Sequence, residues 1–261
     1  MQALQGVLRY NEVEILKSFS PITLGEMDEV QLMNRTDTKF VMERGFFNKI
    51  LPELANDYRV LNINGNLISN YKTLYFDEPD YAFYLAHHNG KGNRYKVRIR
   101  NYVESNLFFF EIKNKFKGRT DKRRIKVPDF EMELGQTTTA FAQEVMGEKR
   151  ELEAKLWNSF GRITLVNKVE KERLTLDLNL CFSWKEQDLV FNEIVIAELK
   201  QENVNRNSLF YRIMKTNGVR PNSMSKYCVG ALQLFPNLKG NNFKDKIRMI
   251  DKLRTYELGG D

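Results

Sequence analysis

The sequence predicts an α+β fold: an antiparallel β-barrel of about eight strands with helices packed outside it. Three observations predict it. Apolar and charged residues alternate with a period of two in six or more separate segments, the pattern of strands with two unlike faces. The charge lies in these strands and not in a tail: residues 94–126 hold twelve Lys or Arg against three acidic residues, a balance of +9 in a chain whose total is +7. Segments with helical spacing at 43–56, 136–158 and 205–217 stand between the strand segments, the last after Asn205 as its expected cap.

The strands are expected at 31–42, 58–63, 67–76, 94–103, 107–117, 121–127, 160–168, 171–180 and 190–201. In Arg94-Tyr95-Lys96-Val97-Arg98-Ile99-Arg100 the bases share one face and the apolar residues the other. Glu111, Lys113, Lys115 and Lys117 repeat this on the next strand. Lys122, Arg124 and Lys126 do so on a third, with Arg123 opposite. Far away in sequence, Arg35, Asp37 and Lys39 share a face, as do Arg173, Thr175 and Asp177, and Glu198 with Lys200. A half-solvated open sheet is the bland alternative. A barrel with a polar lumen accounts better for faces so rich in Arg and Lys, with isolated carboxylates two residues from a base. So many inward cations would repel one another unless a polyanion sat among them.

With 261 residues, 42% of them hydrophobic, the chain can bury a large core. One domain over 1–261 is expected, with the barrel at 20–235 and an amphipathic helix at 239–258 that offers a possible protein partner site. Two cysteines, Cys181 and Cys228, allow neither a disulfide framework nor a paired-cysteine zinc site. The first residues lack the apolar core of a secretory signal, and no window of about 18 apolar residues occurs, so a cytoplasmic protein without a transmembrane segment is expected. His87 and His88 are adjacent and face different directions, which predicts a surface role. In the run Phe108-Phe109-Phe110 most of the aromatic surface is expected beneath a helix. Tyr95, Phe108 and Phe110 fall opposite the bases, which argues against nucleic-acid stacking, and a narrow tunnel excludes duplex nucleic acid.

The ordered segments RTDTKF, RYKVRIR, FFFEIKNK followed by KRRI, ERLTLDLNL, IAELK and SMSKYCVG together resemble the VTC-type polyphosphate polymerase domain of the triphosphate tunnel (CYTH-like) superfamily. The resemblance runs from about Arg35 to Gly230. It implies a tunnel that binds ATP or another triphosphate, or polyphosphate, with a divalent metal, Mn²⁺ or Mg²⁺, as cofactor. It implies a catalytic set of Lys39, Arg98, Arg100 and Lys226, with Lys113, Lys115, Arg124 and Arg173 on phosphate; Arg123 is the alternative to Arg124 if the strand is bulged. Glu198 is implied as the metal carboxylate, with Glu111 or Asp177 as helper; an internal salt bridge with Lys200 is the alternative role for Glu198. The face pattern adds Arg35, Lys96 and Lys200 to the phosphate-binding candidates.

One departure concerns the Tyr-x-Arg sequence that polymerases of this family carry one strand before Arg173. Here residues 166–168 read Val-Asn-Lys, and Lys168 is expected to substitute as a point charge without the bidentate fork of arginine. The expected function is transfer of a phosphoryl group from ATP to a polyphosphate chain. The alternatives are a triphosphate hydrolase, which the absence of a Glu-x-Glu-x-Lys strand argues against, and a non-catalytic polyphosphate- or nucleotide-binding module.

Overall fold

The computed structural model describes residues 12–29, 35–117, 119–222 and 224–255. Eleven strands form one sheet: β1 (Ser20–Ile22), β2 (Thr36–Glu43), β3 (Tyr58–Leu61), β4 (Ser69–Asp77), β5 (Arg94–Tyr102), β6 (Leu107–Phe116), β7 (Arg119–Val127), β8 (Glu153–Asn167), β9 (Glu172–Trp184), β10 (Gln187–Phe191) and β11 (Ile194–Gln201). Its main path has eight strands in the order β2-β11-β9-β8-β4-β5-β6-β7, all antiparallel. The eight-stranded α+β architecture is therefore as expected. The tunnel differs in one respect: among the described residues β7 and β2 are not hydrogen-bonded, so the sheet curls without closing.

The alternation read from the sequence sorts the side chains. Phe40, Met42, Leu174, Leu176, Val195 and Leu199 point outward and are buried under α3 (Arg44–Ile50) and α6 (Leu209–Thr216). Val97, Ile99, Phe110 and Ile112 are buried under α5 (Gln136–Met146). Arg35 lies just before β2; residues 31–34 of the expected first strand fall outside the described residues.

Two elements depart from expectation. The helix expected over 136–158 ends at Gly147, whose φ of +78° is the left-handed cap that glycine adopts without a Cβ penalty. Residues 153–158 then form the first part of β8 and pair with Thr73–Asp77 of β4. Their helical spacing yields to this pairing, which satisfies the inner edge of β4 and buries Leu156 completely. The segment expected as one strand over 190–201 is two, β10 and β11. At α6 the cap position is Ser208, and the Asn205 side chain instead accepts from the Asn207 N–H.

A helix also lies inside. α7 (Lys226–Leu234) packs its Tyr227, Cys228, Ala231 and Leu234 against Val41, Ile194, Ile196, Leu156, Leu180 and Phe182. Val41 and Ile196 share strand faces with Lys39 and Glu198, so the interior face is charged over one stretch and apolar over the next. On β9 the change of face needs a β-bulge: Leu178 pairs with Gly161 but Cys181 with Ser159, and Asn179 adopts φ +53°. The bulge turns Leu180 and Phe182 inward, where simple alternation would leave them outside. Gly230 lets α7 approach β9, because a Cβ there would stand 2.5 Å from the Phe182 ring. Gly230→Ala is therefore expected to lower stability by about 1–3 kcal/mol through overpacking; an unchanged urea midpoint would show that α7 is not seated against Phe182.

Asp77, at the end of β4, ties α7 to α4 (Ala82–His88). Its carboxylate accepts from the N–H groups of Glu78, Phe83 and Tyr84 and from the Tyr227 hydroxyl. The surface role expected for the histidines is not found: His88 is buried, accepts the Asn242 N–H at Nε2 and packs on Tyr84 and Phe243. His87 is half-buried against Phe243, and burial, with Lys96 and Arg94 nearby, lowers its pKa to about 3. The expected C-terminal helix is α8 (Lys244–Thr255), and its Ile247, Ile250 and Leu253 pack on the barrel. No helix among the described residues is long and apolar enough to cross a membrane.

Candidate functional site

The charged stretch of the interior is organised around three carboxylates, Glu111 and Asp177 buried and Glu198 part-buried, each held by two cations. Glu111 on β6 takes Arg98 of β5 through Nε at 2.8 Å and Nη2 at 2.6 Å, and is also paired with Lys122 of β7. Asp177 on β9 takes Arg162 of β8 in a two-bond fork of 2.6 and 2.9 Å, and Lys226 at the start of α7. Glu198 on β11 takes Lys39 of β2 at 3.3 Å and its own-strand neighbour Lys200. Strand register places these pairs: Arg98 lies opposite Glu111, Arg162 opposite Asp177, and Lys39 opposite Glu198. Burial alone would raise the carboxylate pKa values, but the adjacent cations hold Glu111 and Asp177 down to about 2 and Glu198 well below its usual range.

The interior cations outnumber these carboxylates. Lys96, Arg100, Lys113 and Arg173 have no carboxylate partner among the described residues. Arg100 donates only a long hydrogen bond to Thr73, Lys96 one to Ser225, and the Nε of Arg173 is buried with no hydrogen-bond partner. Burial, together with Arg98, lowers the Arg100 pKa to about 10. Burial would also raise the Tyr75 hydroxyl, yet Arg98, Lys96, Arg100 and Lys226 hold it below its ordinary value. The interior is thus strongly positive, and an anion entering it would meet donors already partly stripped of water.

Lys113 shows this most directly. Burial, then Arg98 and Lys96, lowers its pKa to about 6, so it is largely neutral at pH 7.5. A bound polyanion would favour the protonated form, so binding takes up a proton between the free and bound pKa values. Metal-free affinity for tripolyphosphate is expected to fall as pH rises from 6 to 8. Lys113→Arg, charged throughout, should flatten that part of the profile; an identical profile in the variant would remove Lys113 from the anion's surroundings.

The structure brings together Lys39, Lys96, Arg98, Arg100, Lys113, Arg124, Arg173, Lys200 and Lys226, with Glu111, Asp177 and Glu198 among them. The choice between the KRRI arginines is settled by register: Arg124 lies opposite Glu111 on the interior face, whereas Arg123 pairs with Glu144 of α5 outside. Lys115, opposite Arg94, lies further along the same face of β6, and Arg35 is exposed at the edge, bonded to Asp37 at 3.3 Å. Lys168 is a correction. Its Nζ donates to the carbonyls of Ala55 and Asn56 on an exposed turn beyond the end of β8. The base that β8 sends inward is Arg162, which the sequence reading missed. The signal was present in Phe160-Gly161-Arg162, an aromatic-x-Arg spacing on the strand before Arg173.

The carboxylates expected at a metal, Glu198 and Glu111, lie on different strands with different partners. Glu111 is neutralised by Arg98 and Lys122 on its own side of the interior. Glu198 instead has Asp37 for company, since Lys200 pairs with both carboxylates, Asp37 at 3.6 Å. The described residues contain no group of three or more His, Cys, Asp or Glu side chains that could hold a metal. Two carboxylates completed by phosphate oxygens and water suit a hard divalent cation such as Mg²⁺ or Mn²⁺, so Glu198 with Asp37 fits one that arrives with its anion. A cavity of about 790 Å³ outside the barrel, against Leu134, Leu152 and Trp184, is lined by charges of both signs, Lys149 and Arg150 with Glu133, Glu151 and Glu153, and gathers no excess of cations.

Comparison with curated proteins finds no match. Among solved structures the chain is similar to a Bacillus halodurans protein described as a candidate adenylate cyclase, with 15% identity over 78% of this chain and 99% of that one and a TM-score of 0.48. It is also similar to HpAC1 from Hippeastrum, described as a candidate adenylyl cyclase with a dominant triphosphatase activity, with 16% identity over 76% and 95% of the two chains and a TM-score of 0.49. A sequence model described as VTC domain matches residues 34–235, and the chain accordingly belongs to the VTC domain family.

Proposed function

We propose that this chain is a phosphotransferase of the polyphosphate polymerase type, taking ATP into the basic interior and passing its terminal phosphoryl group to a polyphosphate chain. The observation that carries the reading is the set of interior cations without a carboxylate partner, the buried Arg100 and the part-buried Lys96, Lys113 and Arg173, beside carboxylates that already have two cations each. Such an interior lacks counter-charge until a polyanion enters. Family membership and the order of the motifs support the same reading.

Phosphoryl transfer requires little covalent chemistry from the protein. It needs the phosphate chain held in line and the charge on its equatorial oxygens stabilised. In this reading Arg98, Arg100, Arg162 and Lys226 grip the chain at the reacting phosphorus, and Lys39, Lys96, Lys113, Arg173 and Lys200 hold the phosphates on either side. Lys115 and Arg35 extend the basic path toward the ends. A divalent cation held by Glu198 and Asp37 would neutralise phosphate charge when bound. Asp177 orients both Arg162 and Lys226, and Glu111 orients Arg98 and Lys122, so these carboxylates position cations.

The test is incubation with ATP and Mn²⁺ or Mg²⁺, followed by separate assays for free phosphate and acid-labile polyphosphate. Polyphosphate accumulating with ADP is expected. Phosphate alone would replace the proposal with hydrolysis, and neither product, with tripolyphosphate still bound, would make the chain a binding module.

A further inference from the structure

Aromatic side chains share the interior face with the bases, contrary to the expectation from Tyr95, Phe108 and Phe110. Tyr71 of β4, Tyr102 of β5, Phe109 of β6 and Phe160 of β8 occupy interior positions, as the cross-strand pairs Tyr71 with Tyr102 and Phe160, and Phe109 with Arg100, require. Their rings form a continuous set. Tyr71 stacks on Phe160 at 5.1 Å, Tyr102 meets Tyr71 at 5.1 Å, and Phe109 meets Tyr102 edge-on at 5.9 Å. Cations lie on them: Arg100 and Arg162 over Tyr71 and Phe160, and Arg124 over Phe109 at 4.3 Å.

Phe160 is buried, but Tyr102 and Phe109 are partly exposed. They stand beside the exposed turn of residues 103–106, at the end of the interior away from α7. Tyr71 and Phe160 belong with the apolar cluster under α7, whereas Tyr102 and Phe109 fall in no apolar cluster among the described residues, α5 covering the opposite face through Phe108 and Phe110. We propose that Tyr102 and Phe109, with the planar guanidinium of Arg124, form a shelf on which the base of a nucleoside triphosphate stacks while its phosphates run inward to Arg100. The proposal rests on the phosphate-binding reading of the interior and adds what selects a nucleotide over inorganic tripolyphosphate.

The geometry suits that ligand. Tyr102 and Arg100 are two residues apart on one strand face, about 7 Å, which leaves room for a ribose between base and phosphates. Every base offers a π-face, so aromatic and guanidinium platforms hold bases with little preference among them. The shelf therefore predicts similar affinity for ATP and GTP.

The test titrates ATP and inorganic tripolyphosphate separately into wild type, Tyr102→Leu, Phe109→Leu and, as a control that keeps the ring, Tyr102→Phe. Both leucine variants should lose about tenfold or more in ATP affinity. Tripolyphosphate affinity should stay within about twofold and Tyr102→Phe should match wild type. Equal losses for both ligands, or none for ATP, would overturn the shelf and leave the basic interior standing. A wild type that binds tripolyphosphate but not ATP would also overturn the shelf alone, whereas a wild type that binds neither would overturn the phosphate-binding reading and the shelf with it.

Discussion

Arg162→Ala should weaken tripolyphosphate binding by about a hundredfold or more and lower stability by about 3–5 kcal/mol. Arg162 makes the two-bond fork to Asp177, and that carboxylate is almost wholly buried. Removing the guanidinium leaves Asp177 with Lys226 alone, so a negative charge is uncovered where an anion is meant to lie. The same change takes one cation off the Tyr71 and Phe160 rings and leaves Arg100 over both. Arg162→Lys should recover part of the binding, because an ammonium restores the charge but not the planar fork. Calorimetric titration gives the affinity and urea unfolding the stability. Unchanged tripolyphosphate affinity in a folded Arg162→Ala protein would remove Arg162 from the proposed grip and transfer its role to stability alone.

Glu198→Gln has the second large expected effect, and it separates turnover from binding. In the metal-free protein the Glu198 carboxylate occupies Lys39 and Lys200. Its neutralisation frees Lys39 and leaves Lys200 with Asp37 alone, so metal-free tripolyphosphate affinity should hold or rise. With only Asp37 left beside it, the proposed divalent cation would lose one of its two protein carboxylates, and metal-dependent turnover of ATP should fall by about a hundredfold or more. The variant keeps the shape of the side chain, so an effect on folding is not expected to obscure the result. A Glu198→Gln protein that turns over ATP at the wild-type rate would place the metal elsewhere.

Much of the charged interior was legible because side chains on a strand alternate without exception where the strand is regular. RYKVRIR, FFFEIKNK and KRRI could be read residue by residue, and the structure pairs Arg98 with Glu111 and sets Arg124 opposite the same carboxylate. The same alternation put Lys39 and Glu198 on interior faces, though only cross-strand register brings them together. Lys168 was misplaced for a related reason. It lies just past the end of β8, where alternation no longer applies, and its ammonium is held by two backbone carbonyls of a turn. Arg162 was missed although the aromatic-x-Arg spacing was present, because a single base within the mostly apolar residues 160–166 gives no local sign that Asp177 faces it across β9.

What the sequence determined by itself was the α+β class, the antiparallel strands with one basic face, the order of the family's motifs and most of the interior cations. All of these follow from local periodicity and residue type. Tertiary structure alone decided that residues 153–158 leave their helical pattern to pair with β4, since an unpaired buried strand edge outweighs propensity. It also decided the bulge at Asn179 that turns Leu180 and Phe182 inward, the seating of α7 against them, and the two-cation partnership of each interior carboxylate. These depend on which strands meet and in what register, and contacts between residues far apart in the chain leave no periodicity to read.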